Sequence, residues 1–140
     1  MRDLEKVNSK LLKVNIGTKD EVNEVQIIAS MLVDPLGGGL NSYWQKLSQG
    51  FFVGLIIHIL YKGKREETDT TLQYIREILN RPQSLWQEMR TYSHFDSGNH
   101  PIVGAAGSMI SNLSERESES LLVVVNNYLS ECGVTEACTV

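Results

Sequence analysis

Apolar residues recur at helical spacing through most of the chain. Val22, Val25, Ile28 and Leu32 fall on one stripe, the pattern of a helix with one buried face. Thr18-Lys19-Asp20-Glu21 precedes that stripe and reads as a capping box, in which the hydroxyl accepts from a free N–H and the glutamate reaches back. Pro35, Leu36 and Gly37-Gly38-Gly39 end the helix in a loop. Ser42-Tyr43-Trp44-Gln45 is a second capping box, and it opens the most apolar segment of the chain, Tyr43 to Lys62. Trp44, Leu47, Phe51, Leu55 and Ile59 share one stripe there, while Phe52, Val53, Ile56, Ile57 and Leu60 fill most of the remaining circumference. A helix that is apolar all round is surrounded by others, so this one predicts the centre of the core. Gly50 and Gly54 predict a small face where a neighbour comes close, and Gly63 is expected to stop the helix.

Shorter helices follow. Leu72, Ile75, Ile78 and Leu79 mark one, after a charged loop from Lys62 to Asp69. Asn80 is expected to cap the next, with Pro82 near its start and Leu85, Met89 and Tyr92 inward. Pro101 begins a fifth, with Ile102, Ala106, Met109, Ile110 and Leu113 facing the core. Ser114-Glu115-Arg116-Glu117 is a third capping box, before a sixth helix that buries Leu121, Leu122, Val125, Tyr128 and Leu129 and ends at Gly133. Upstream of all these, Leu12, Val14 and Ile16 alternate with polar residues in a strand-like way. The expectation is therefore an all-α fold: a compact bundle of about six helices around a central buried helix, spanning 17–133. Residues 1–16 form a leader or orphan strand and 134–140 a tail.

Length and composition fit that picture. A chain of 140 residues with 41% apolar side chains can fill one core. The longest apolar run, Phe51 to Leu60, is half the length of a bilayer span, which needs about 20 residues. No apolar signal segment precedes the first helix, so a secretory signal is not expected. Cys132 and Cys138 match no zinc or redox spacing and read as reduced thiols.

Charge is uneven. The net charge is −4, with residues 1–20 at +2 and residues 96–140 at −5. Bulk attraction to duplex DNA is not expected from this balance. The basic residues Lys62, Lys64, Arg65, Arg76, Arg81 and Arg90 are candidates for a nucleic-acid or partner contact, although Glu66, Glu67, Asp69, Glu77 and Glu88 are interleaved with them. Glu115, Glu117 and Glu119 are candidates for an acidic partner face.

Candidate chemistry is sparse. Gly37-Gly38-Gly39 follows a helix and lacks the Lys-Ser/Thr of a phosphate loop. The three histidines, His58, His94 and His100, are not at zinc-site spacing, and His58 in its apolar helix reads as a structural donor to a carbonyl or side chain. No nucleophile motif is present. Catalytic, cofactor and metal sites are therefore not expected.

Three segments, taken together, resemble a known family. Ile16-Gly17-Thr18 leads through Glu21-Val22 to Ile28-Ala29, Met31-Leu32-Val33-Asp34-Pro35 and Gly37. Trp44 is followed by Gly54-Leu55-Ile56 and His58-Ile59-Leu60-Tyr61. His100-Pro101-Ile102-Val103 and Ser114-Glu115 with Glu117 come later. In order and spacing these resemble the all-alpha domain of the type IV secretion coupling proteins, TraG branch, over most of residues 16–130.

The resemblance implies a parent protein that is a membrane-anchored, hexameric ATPase of conjugation. Its all-alpha domain is inserted between the two Walker motifs, at the cytoplasmic mouth of the channel. This chain lacks the Walker motifs, so by that resemblance it would be a substrate-docking module without its own enzymatic activity, at the cytoplasmic face of the inner membrane but without membrane contact itself. Its partners would be relaxosome or effector proteins and the remainder of the coupling protein. The orphan strand would then pair within the missing nucleotide-binding domain. Direct single-stranded DNA binding and a structural lid on the hexameric ring are the competing expectations. Where the family often carries Arg-Ser-Gly after the acidic cap, this chain has Ser118-Glu119-Ser120, so a role for that arginine does not carry over.

Overall fold

The structure is a computed structural model and describes residues 3–135. Seven α-helices follow one another among these residues: α1 Leu4–Leu12, α2 Glu21–Val33, α3 Tyr43–Glu66, α4 Leu72–Ile78, α5 Pro82–Thr91, α6 Pro101–Ser111 and α7 Glu115–Cys132. The fold is all-α, as the periodicity predicts. Helix α3 is its axis: α2, α6 and α7 pack on it, α5 packs on α6, and α1 bridges α2 and α4. Every residue from Phe51 to Tyr61 is buried, on all faces of α3. No helix among the described residues is long and apolar enough to cross a membrane.

The first sixteen residues depart from expectation. No strand forms at 12–16; the only β pairing among the described residues is an isolated bridge between Phe95 and Gly98. The segment is instead the helix α1, because Leu4, Val7 and Leu11 recur at helical spacing and the last two are buried. A helix satisfies its own backbone, which a lone strand cannot. The segment is not a loose leader either. Asn8 Oδ1 accepts from the Leu72 N–H at 2.9 Å, and the Asp3 N–H donates to the Cys132 carbonyl at 3.1 Å. Leu12, which carried the alternation, is exposed. Cys132 is a buried free thiol, and Cys138 lies outside the described residues, as does most of the expected tail.

The caps vary in how closely they follow the expected boxes. Ser114 and Glu117 form the full reciprocal box at α7. Ser42 caps α3 through the Gln45 N–H, but the Gln45 side chain accepts from Asn41 rather than from Ser42. At α2 the helix starts at Glu21, and that carboxylate reaches past Thr18 to the Gly17 N–H at 2.8 Å. Asn80 caps nothing: Arg81 occupies the N-cap position of α5 and Pro82 fixes the first turn without a side-chain cap. Thr71 caps α4 by accepting from the Tyr74 N–H.

Glycines on α3 serve different ends. Gly63 does not end the helix, which runs on to Glu66 and closes with Glu67 at φ 60°. A Cβ on Gly63 would lie 2.5 Å from Thr70 Cγ2, so its role is to let the following loop fold back. Gly50 faces open space and supports no close approach. Gly54 does: its Cβ would sit 2.4 Å from Ala106 Cβ, where α3 meets α6. Gly54→Ala is therefore expected to cost about 1–3 kcal/mol by overpacking. Adding Ala106→Gly should recover part of that loss, and thermal melts of the two variants check it; a double variant no more stable than the single one would contradict the contact.

Candidate functional site: a buried histidine relay beside a cleft

All three histidines meet in the interior. His58 comes from the middle of α3, His94 from the loop after α5, and His100 from the N-cap of α6. His58 Nδ1 lies 2.8 Å from His94 Nε2, and His58 Nε2 lies 2.7 Å from Glu88 Oε1 on α5. The His100 backbone N–H donates to His94 Nδ1 at 3.1 Å, and the Ile102 N–H donates to His100 Nδ1 at 3.1 Å. His100 Nε2 lies 2.9 Å from Glu21 Oε2 on α2. Glu21 also accepts from the Tyr61 hydroxyl and the Gly17 N–H.

The backbone donors orient this relay. A ring nitrogen that accepts an N–H carries no proton, so His94 and His100 must each hold theirs on Nε2. His94 Nε2–H then donates to His58 Nδ1, which forces the His58 proton onto Nε2, pointing at Glu88. His100 Nε2–H likewise points at Glu21. The hydrogen bonds therefore run outward from His100: its backbone N–H leads through His94 and His58 to Glu88, and its ring leads to Glu21.

Electrostatics agree with that assignment. Burial lowers His94 to about 4, helped by the neighbouring His58 and His100. Burial also lowers His58, outweighing the pull of Glu88. Burial alone would raise Glu88, but the hydrogen bonds from Lys62 and His58 outweigh it and hold the carboxyl below its ordinary value. Glu21 is lowered for the same kind of reason: desolvation works against its charge, and Gly17, Tyr61 and His100 more than compensate. Tyr61 is raised, by burial and by its bond to Glu21. Burial thus disfavours a proton on His58 and His94, and the hydrogen bonds of the three rings tie α2, α3, α5 and α6 together. Among the described residues no group of three or more His, Cys, Asp or Glu side chains is placed to hold a metal ion.

Glu88 forms part of a cleft of about 340 Å³ between α3, α4 and α5, lined also by Ile59, Lys62, Glu77, Arg81 and Leu85. Only Lys62 and Arg81 of the six basic candidates meet there. Lys62 Nζ is 2.9 Å from Glu88 Oε1. Arg65 lies 3.7 Å from Asp96, Arg76 donates to Ser130 Oγ on α7, and Arg90 Nε donates to the Trp86 carbonyl within α5. Lys64 and Arg81 are exposed. The six are spread over several faces. Glu115, Glu117 and Glu119 are exposed at the start of α7, where Glu117 is engaged by the cap.

Sequence periodicity could not reveal the relay. It marked His58 as a buried donor, which holds with Glu88 as acceptor, but gave no sign that His94, on a loop, packs against it. Glu21 read as a cap residue; its burial beneath Tyr61 is tertiary.

The family described as "Type IV secretory system Conjugative DNA transfer" matches residues 3–132. The chain belongs to that family. Two proteins of Escherichia coli, each named conjugal transfer protein TraG, are similar to this conjugative-transfer domain. One is 44% identical and the other 38%, each over 122 residues, which is 84% of this chain. The domain spans only 19% of the length of either relative. No solved structure matches it.

Proposed function

We propose that this domain is a docking module of a conjugative coupling protein, receiving the relaxosome or effector proteins that the type IV secretion machinery exports. The observation that carries the reading is membership of the conjugative DNA transfer family over nearly the whole described chain. The interior supports it: the titratable groups of the relay are committed to one another, as a scaffold requires. In this reading the domain works at the cytoplasmic face of the inner membrane, beside the rest of a TraG-like protein that supplies ATP hydrolysis. It contributes no catalysis itself.

Pull-down of the 140-residue chain against purified relaxosome proteins and effectors tests the proposal. Retention of at least one of them is expected. Retention of none, with binding intact in the full coupling protein, would refute docking by this module alone. A gel shift with single-stranded DNA at low salt separates the competing reading, because phosphate-driven binding weakens steeply as salt rises. The engagement of Lys62, Arg65, Arg76 and Arg90 with groups of the chain itself predicts no salt-sensitive shift.

A further inference from the structure

Residues 93–99 join α5 to α6 and lie as a short strap against the second half of α3. The strap is closed on itself: Phe95 and Gly98 exchange backbone hydrogen bonds at 2.9 and 3.1 Å. Its two feet are tied together by Asn99, whose side-chain amide donates to the Tyr92 carbonyl at 2.8 Å and the Met89 carbonyl at 2.9 Å. Within the strap only His94 is buried; every other residue is half-buried or exposed. The remaining contacts with α3 are slight. Phe95 meets Tyr61 edge-on at 5.4 Å, and Arg65 reaches the His94 carbonyl at 3.5 Å and Asp96 at 3.7 Å. An exposed pair such as Arg65 and Asp96 contributes little. The helices do not need the strap to stay together, because α5 packs directly on α6 and α6 on α3.

His94 is therefore the strap's peg, and its fit depends on protons. Its Nδ1 accepts the His100 N–H at 3.1 Å and its Nε2–H donates to His58 Nδ1 at 2.8 Å. A proton arriving at His94 lands on Nδ1 and faces the His100 N–H. One arriving at His58 lands on Nδ1 and faces the His94 N–H. In either case two donors point at each other. With His94 swung out to water, both protons have a place: the His94 ring is solvated, and His58 carries one on Nδ1 while its Nε2–H stays on Glu88. Around His94 stand His58, Tyr61 and Arg65 of α3, Glu88 of α5, Tyr92 just after it and His100 of α6. Lys62 and Glu66 of α3 act on His58, and Glu21 of α2 lies behind His100. Glu88 and Glu66 favour a proton on these rings and Lys62 and Arg65 oppose it, while burial decides against it as long as the strap is closed.

We infer that residues 93–99 are a proton-released strap: protonation of His94 and His58 frees the His94 peg and lifts the strap from α3, while the helices keep their packing. Acid favours release because the released strap takes up protons that the closed one excludes. His100 stays in place, since its ring is held by Glu21 and by the Ile102 N–H, neither of which belongs to the strap. Release uncovers the rings of Tyr61 and Tyr92, against which His94 packs edge-on in the closed state. The device is independent of what the domain docks.

Amide hydrogen exchange of the 140-residue chain decides it, resolved by NMR and corrected for the intrinsic rate at each pH. The reporter is the His100 amide, which is bonded to His94 Nδ1 only while the strap is closed. The reference is the set of amides from Phe51 to Tyr61 in the wrapped part of α3. Exchange detects release as a minority well before it predominates. At every pH the His100 amide should be at least about tenfold less protected than the reference, because the strap opens without the helices. Between about pH 6 and about pH 4.5 its protection should fall by about tenfold or more per pH unit, since each proton taken up on release changes the opening constant by that factor. His94→Asn keeps an acceptor for the His100 N–H and removes one of the protons, so the fall should be about tenfold shallower per unit. His100 exchanging in step with α3, protection that does not change with pH, or a wild-type slope in His94→Asn would each overturn the inference. Should that variant not fold, the wild-type comparison of His100 with α3 decides alone.

Discussion

Lowering the pH from about 7 to about 4 is expected to cost the domain about 3 kcal/mol through His94 alone. The sign follows from where the proton goes. Unfolded, His94 takes a proton below its ordinary value of 6.5; folded, it refuses one until about 4. Across that window the unfolded chain binds more protons, so stability falls by about 1.4 kcal/mol for each pH unit of acidification and is complete only above the window. The ring is buried, so solvent screening does not discount the figure. His58, also lowered, adds to the loss in the same direction. Glu21 and Glu88 extend it to lower pH: their carboxyls are held below the ordinary range, so what they contribute is present above it and lost as acid protonates them in the fold. The groups facing the relay are Tyr61 and Lys62 on α3, Glu21 on α2, Glu88 on α5 and Tyr92 just after it, with Arg65 bonded to the His94 carbonyl. Of these, Glu21 and Glu88 are the bases, and both take a proton only below the ordinary carboxyl range. Geometry makes the same demand. A proton on His94 Nδ1 or His58 Nδ1 must displace the N–H already donated there. Urea midpoints at pH 7.5, 5.5 and 4.5 measure the slope. His94→Asn keeps an acceptor for the His100 N–H and removes the titrating ring, so its stability should be lower at neutral pH and flatter toward acid. A wild-type midpoint that does not move between pH 7.5 and 4.5 would contradict the relay.

How much of this was legible in the sequence depends on the range of the interaction. The stripes of α2, α3, α4, α5, α6 and α7 are local, and the described core follows them: Val25, Ile28 and Leu32, the α3 block, then Leu72, Ile75, Leu85, Met89, Ile110, Leu121, Val125 and Leu129. Helix α1 was hidden because its apolar stripe is short and mixed with lysines, while Leu12, Val14 and Ile16 imitate a strand. The relay was hidden for a different reason. His58 and His94 are 36 residues apart, and His100 and Glu21 are 79 apart, so only the packing of α2, α5 and α6 around α3 joins them. The density of basic residues between Lys62 and Arg90 in the sequence says nothing about whether a carboxylate lies nearby in space. Lys62 lies against Glu88, and Arg65 lies near Asp96.

Phe52→Ala is expected to destabilise the domain by about 3–5 kcal/mol. Phe51 and Phe52 are adjacent on α3 and point roughly 100° apart around it. Both are nevertheless fully buried. Phe51 meets Trp86 of α5 edge-on at 5.5 Å, while Phe52 is enclosed on another side of the same helix. Removing its ring leaves a void that the packed helices close only in part, so the lost transfer energy and the cavity add. For a domain of this size that corresponds to a melting temperature lower by about 10 °C or more. Val123→Ala is the matching control: Val123 is 61% exposed on α7, so the change should stay within about 0.5 kcal/mol. A near-zero shift for Phe52→Ala would mean that α3 has an open face. The result also bears on function. The Phe51–Tyr61 stretch of α3, wrapped on every side, offers no surface to a partner, so docking must use the outer helices or the ends of α3, and Phe52 substitutions should abolish partner retention only to the extent that they unfold the chain. Retention lost in a Phe52 variant that still melts like wild type would place the middle of α3 itself at the interface.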